Sequence, residues 1–218
     1  MHRLLSIGLA ACFLAGCAGS NQASSSQADT QALEALYWAR LDSARQSFTE
    51  AEVAFMTGMI GHHAQALIMA RMAPEQASSS QVRTLAARII NAQNDEIASM
   101  QRWLGDRDQT VPEVHIDGTQ LMIHGGGEHT MMPGMLSSEQ LEELASSSGP
   151  DFDRLFLTYM IQHHQGAVSM VDDLFGQDEA GQDEAAFKLS SDIHVDQITE
   201  IARMRRMLDS LFPTTQDR

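Results

Sequence analysis

Cysteine is almost missing. Cys12 and Cys17 are the only two in 218 residues, and both lie near the start. A disulfide-built scaffold and a cysteine-ligated zinc site are therefore excluded. Lysine and arginine are scarce as well, 14 against 29 Asp plus Glu, which gives a formal charge of −15. A chain this acidic does not hold a nucleic-acid backbone or an anionic membrane surface through charge. Apolar runs long enough to span a bilayer are lacking too, since Leu4–Ala15 is too short for a stable spanning helix. No predicted helix carries Glu-x-x-His, the pair that di-iron carboxylate sites need. Gly125-Gly126-Gly127 follows no predicted strand and lacks the lysine of a phosphate-binding loop. What the chain does have is a hydrophobic content of 43%, enough to bury a core, with 14 methionines and nine histidines.

The N-terminus reads as an address. A short positive start, Met1-His2-Arg3, precedes the apolar run, which has the size of a signal-peptide core. The run ends in Leu14-Ala15-Gly16-Cys17, a sequence similar to the lipobox of bacterial lipoproteins. That predicts a signal peptide over 1–16, lipidation of Cys17, and a flexible Ser/Gln/Ala-rich tether over 17–30. The expected location is the extracytoplasmic face of a membrane, with the folded part hanging from its lipid anchor.

Helical patterns dominate the rest. A first helix is predicted over about Gln31–Gln46. A capping box at Thr49-x-x-Glu52 opens a second, which should end near Met72 ahead of Pro74. A third reaches Leu104, and Ser137-x-x-Gln140 opens a short one. Long helices over about Asp151–Phe175 and Asp183–Leu211 follow. Sliding the chain against itself then exposes a duplication. Phe55–Ala70 matches Phe156–Val171 at 8 of 16 positions, and Ile89–Leu104 matches Ile193–Leu208 at 8 of 16. Each half holds one His-His helix and one Gln-x-x-Glu-Ile-Ala-x-Met helix. Two such antiparallel hairpins predict an all-α four-helix bundle within a single domain, 31–212, with repeats at about 49–104 and 150–211.

The His-His helices carry the chemistry. At 100° per residue, Met59, His63 and Ala70 share the core-facing stripe, with His62 one step round beside Met69. The second copy repeats this with Met160, His163, His164 and Met170. The partner helices offer Gln93, Glu96 and Met100, and Gln197, Glu200 and Met204, each set on one stripe. Dense Met and His without thiolate favours a soft, low-valent ion, and copper as Cu(I) is the expected one. Methionine at helical spacing also serves as core filler, so a packed, non-binding reading stays open. Against it, a buried imidazole without a partner costs roughly 1–3 kcal/mol.

The linker between repeats, 105–137, is long for a featureless connection. It contains His115, Met122, His124, His129, Met131, Met132 and Met135, with glycines that would let them converge. It reads equally as a second soft-metal loop or as a lid that plugs the end of the bundle.

At Phe55–Ala66, Phe156–Ala167 and Met132-Pro133-Gly134-Met135 the chain resembles a bacterial family, the domain of unknown function numbered 305. The resemblance covers about Phe48 to Leu211 and implies a ferritin-like helical bundle. It also implies an association with extracytoplasmic copper. It carries over to Met59, His62, His63, Met69, Met160, His163, His164 and Met170, and more loosely to the linker. The expected role is a membrane-anchored metal-binding protein that sequesters Cu(I) or passes it to copper-handling partners, without catalysis. The competing expectations are a ferritin-like metal oxidase and a helical interaction module with packed histidines.

Overall fold

The computed structural model describes residues 20–125, 132–177, 181 and 183–213. Cys17 and the expected signal peptide, Gly126-Gly127, His129 and Met131 lie outside the described residues. The chain divides into two compact units, the first ending at Ser43 and the second Ala44–Arg218.

The first unit is described from Ser20, where α1 (Ser20–Gln46) begins. The stretch expected to be a tether is thus helical from Ser20, because its alanines and glutamines are good helix formers. Leu33, Leu36, Tyr37 and Trp38 are exposed on α1.

The second unit is built from α2 (Glu50–Gln76), α3 (Ser80–Gly105), α4 (Ser138–Ser146), α5 (Gly149–Phe175) and α6 (Glu184–Leu211). The capping boxes at Thr49 and Ser137 form as the sequence predicts. α2 runs past its expected end, through Pro74 to Gln76. Pro74 removes the hydrogen bond its N–H would have given to the Ala70 carbonyl, and the helix ends two residues later. α2 pairs with α3 and α5 with α6, and the two hairpins join chiefly through α2 and α5. No described helix is long and apolar enough to cross a membrane.

Part of the linker is strand rather than loop. Glu113–Asp117 (β1) and Gln120–His124 (β2) form an antiparallel hairpin that turns at Gly118, whose φ is +57°. Gly125 therefore does follow a strand, although the lysine of a phosphate loop is still missing. Val114, Ile116, Leu121 and Ile123 face inward and are half-buried, while the alternate positions are exposed.

One end of the bundle is fastened by a buried carboxylate. Asp183 caps α6 through the Ala186 N–H (2.8 Å) and accepts from Trp103 Nε1 (2.9 Å) and from the Arg107 guanidinium. Its own N–H donates to Glu52 in the α2 capping box. The starts of α2 and α6 and the end of α3 thus share one network. Burial works to raise the Asp183 pKa, but the Trp103, Arg107 and Ala186 hydrogen bonds hold it below the usual carboxylate range.

Apolar packing falls into two blocks. One gathers Ala66–Ala73, Val82–Ile89, Phe152–Met160 and Ile201–Met207 with residues of α4. The other gathers Phe55–Ile60, Met100–Leu104, Ala167–Leu174 and Ala186–Ile193. Each block takes residues from all four long helices of the bundle. The level between them is polar.

Candidate metal centre

That middle level consists of His62, His63 and Gln65 on α2, Gln93 and Glu96 on α3, His163 and His164 on α5, and Gln197 and Glu200 on α6. The four imidazoles are 0% exposed, and Gln93 and Gln197 are almost as deeply buried. The duplication explains the arrangement. Matching positions of the two hairpins lie at mid-bundle, which brings His62 against its own copy, His163.

The histidines sort into an inner and an outer pair. His62 and His163 meet across the α2–α5 contact with ring centroids 3.9 Å apart. His63 and His164 turn toward the partner helices. His63 Nε2 lies 2.7 Å from Glu96 Oε2, and His164 Nε2 lies 2.6 Å from Glu200 Oε2. A carboxylate accepts, so each Nε2 donates, and in the neutral ring Nδ1 then carries the lone pair. A carboxylate-held imidazole with its other nitrogen free is how proteins orient a metal-binding histidine. His62 Nε2 donates to the Pro133 carbonyl at 3.0 Å, which again leaves Nδ1 as the lone-pair nitrogen. His163 makes no hydrogen bond through either ring nitrogen. The Nδ1 atoms of all four rings, both amide ends of Gln93 and the Gln197 carbonyl are buried without hydrogen-bond partners.

Burial decides the charge of the inner pair. The His62 pKa is pushed down to about 3, first by desolvation and then by His63, with the Pro133 carbonyl opposing. His163 is held well below the ordinary histidine value, again by burial first and then by its histidine neighbours. Two imidazoles this close in a dry interior stay neutral at any ordinary pH, so a cation meets lone pairs there rather than protons.

The outer pair connects to solvent through its carboxylates. Glu96 and Glu200 line a cleft of about 230 Å³ between α3 and α6, with Gln93, Gln197, Asp196, Arg88 and Arg203. Asp196 has a raised pKa, from burial first and then from Glu96 and Glu200. The sequence pattern did not single it out, because its position has no acidic counterpart in the first repeat.

The opposite face is closed by the Met132–Leu136 segment, which lies on α2 and α5. A Cβ on Gly166 would stand 1.9 Å from the Pro133 oxygen, and one on Gly134 would stand 2.5 Å from the Gln162 oxygen. Only glycine permits that backbone-to-backbone approach, and Gly134 also needs its φ of +76°. Gln65 completes the fastening by exchanging two hydrogen bonds with the Leu136 backbone, 3.0 and 2.8 Å. Gly61 leaves room for Ile123 of β2, and Gly58 for Met132 and Met170. These helical glycines and Gln65 were missed by the sequence reading. A glycine inside a helix costs about 1 kcal/mol relative to alanine, and that penalty was the available signal of close approach.

The predicted thioethers do not converge on one point. Met59 and Met100 lie in one apolar block with Met170 packed against it, and Met69, Met160 and Met204 lie in the other. They flank the histidines above and below. Met132 and Met135 line a separate cleft, and His124 is exposed at the end of β2. Among the described residues no three His, Cys, Asp or Glu side chains gather closely enough to hold an ion. The donors at this level are imidazole nitrogens, with thioethers in the apolar blocks on either side, a soft set that suits a low-valent ion better than a hard one.

A family model described as domain of unknown function DUF305 matches residues 52–208. A DUF305 fragment from Deinococcus radiodurans is 32% identical, with a TM-score of 0.61 over 74% of this chain and 97% of that one. A DUF305 protein of Streptomyces coelicolor, described as secreted, is 25% identical, with a TM-score of 0.59 over 74% of this chain and 93% of that one. CopM in its Cu(I)-bound form is 29% identical, with a TM-score of 0.54 over 76% of this chain and 99% of that one. A search of curated proteins gives no match. With the family pattern running through both hairpins and the segment between them, the chain belongs to the DUF305 family.

Proposed function

We propose that this protein binds copper, as Cu(I), at the polar middle level of its bundle and holds or passes on the ion outside the cytoplasm. The observation that carries the reading is the set of four buried imidazoles between two methionine-bearing apolar blocks, each with Nδ1 unpartnered. An apolar layer there would be cheaper for folding, because each buried polar atom without a partner costs roughly 1–3 kcal/mol. The cost is understandable if the nitrogens are kept for a ligand. Neutral nitrogens and thioethers suit Cu(I), and Glu96 and Glu200 bring negative charge beside a buried cation. CopM, similar over almost its whole length, has been solved with Cu(I), Cu(II) and silver bound. No Glu-x-x-His pair supports an oxidase.

Anchoring through a lipid on Cys17 is part of the same proposal, resting on the Leu14-Ala15-Gly16-Cys17 motif. Replacing Cys17 with serine should release the protein from membranes in a detergent-partition assay.

The test of binding is a Cu(I) titration against a competing chelator. Affinity far tighter than millimolar is expected, falling about 100-fold or more when His62 and His163 are replaced together. Binding no tighter than about millimolar, and indifferent to replacing all four histidines, would remove the proposal.

A further inference from the structure

The hairpin and the segment after it hold soft donors that the buried centre does not use. On β1 and β2 the exposed face consists of Glu113, His115 and Asp117 opposite His124, Met122 and Gln120. His115 stands directly across from Met122, which puts their Cβ atoms about 5 Å apart. No lysine or arginine interrupts this face, so nothing on it repels a cation. Met122 is 39% exposed, unusual for a methionine that could have been buried by one step of register.

Met122 also borders a second space. A cleft of about 480 Å³ lies between β2 and the start of α4, and three methionines line it: Met122, Met132 and Met135. Met132 and Met135 are half-buried. Met132 reaches inward as well, where its sulfur and the Met170 methyl group lie over Gly58, one helical turn before His62. The carbonyl of the next residue, Pro133, is the one that holds His62.

We propose that Met122, Met132 and Met135, with His115 at the rim, form a second, solvent-facing site for a soft monovalent cation, Cu(I) or Ag(I). Three thioethers offer no charge and no proton to displace, so hard cations such as Mg²⁺ and Ca²⁺ gain nothing there. The site rests on the soft-metal reading of the protein but not on the buried histidines.

The full chain labelled with ¹³C at its methionine methyl groups, titrated with silver nitrate, tests this. The Met122, Met132 and Met135 methyl signals are expected to shift together within the first equivalents of silver. Met122→Leu, a similar-sized change at a partly exposed position, should lower the silver stoichiometry by one and weaken the Met132 and Met135 shifts about tenfold. It should leave the Met59 and Met160 signals responding as in the parent. Shifts at Met59 and Met160 alone, or a stoichiometry unchanged by Met122→Leu, would overturn the second site. Shifts at the cleft methionines alone would uphold it and instead discard the buried centre.

Discussion

His62 and His163 occupy the same position in two copies of one helix, yet they differ in what holds them. His62 donates to a main-chain carbonyl, whereas His163 makes no hydrogen bond at either nitrogen. His63 and His164, by contrast, have kept matching carboxylates at nearly the same distance. The asymmetry comes from the segment laid across α2 and α5 between the repeats. Where the first copy has Gln65, whose amide grips Leu136, the second has Gly166, which yields its space to Pro133. Duplication made the polar level symmetric, and the connecting segment holds one imidazole through a carbonyl while its twin is held by packing.

The largest expected effect probes what the inner pair shares. His62 titrates near 3 when folded and near 6.5 when unfolded, so below 6.5 the unfolded chain binds the extra proton. Stability is therefore full above pH 6.5 and is lost as pH falls toward 3, by several kcal/mol from His62 alone. Urea denaturation of the metal-free protein at a series of pH values should show this slope, and His62→Leu should flatten it. A substitution on the second copy comes next. Gly166→Ala places a methyl group inside the Pro133 carbonyl, and about 3 kcal/mol or more should be lost in urea denaturation.

Glu96→Gln and Glu200→Gln test the symmetric part. Each should weaken Cu(I) binding about 10- to 100-fold, and by similar amounts, in a chelator competition. A large inequality would mean that only one outer histidine takes part. The smallest effect separates the inner pair. His163→Leu forfeits no hydrogen bond and should leave the metal-free protein as stable or more stable, while His62→Leu should cost about 1 kcal/mol. Thermal unfolding of the two variants reads the difference.

Much of this was legible in the chain. Caps at Thr49 and Ser137, the duplication and the His-His stripes place the four helices and their facing residues, because helical period and self-similarity are local signals. The stripes placed Glu96 and Glu200 on faces that could meet the histidines, but which histidine each carboxylate takes came only from the structure. The hairpin was missed although Asp117-Gly118 and the alternation in Glu113–Asp117 both announce it. A short two-stranded element is a weak pattern beside long amphipathic helices. The Pro133 carbonyl on His62 was out of reach, since backbone contacts across 71 residues leave no periodic trace.

The division of the core by a polar layer has a mechanical consequence. Because each apolar block joins all four helices, either could keep the bundle closed while its waist adjusts. A cation bound at the waist would act as a rivet between two independently sealed ends, raising the melting temperature with the logarithm of its free concentration above the Kd without having to build the fold.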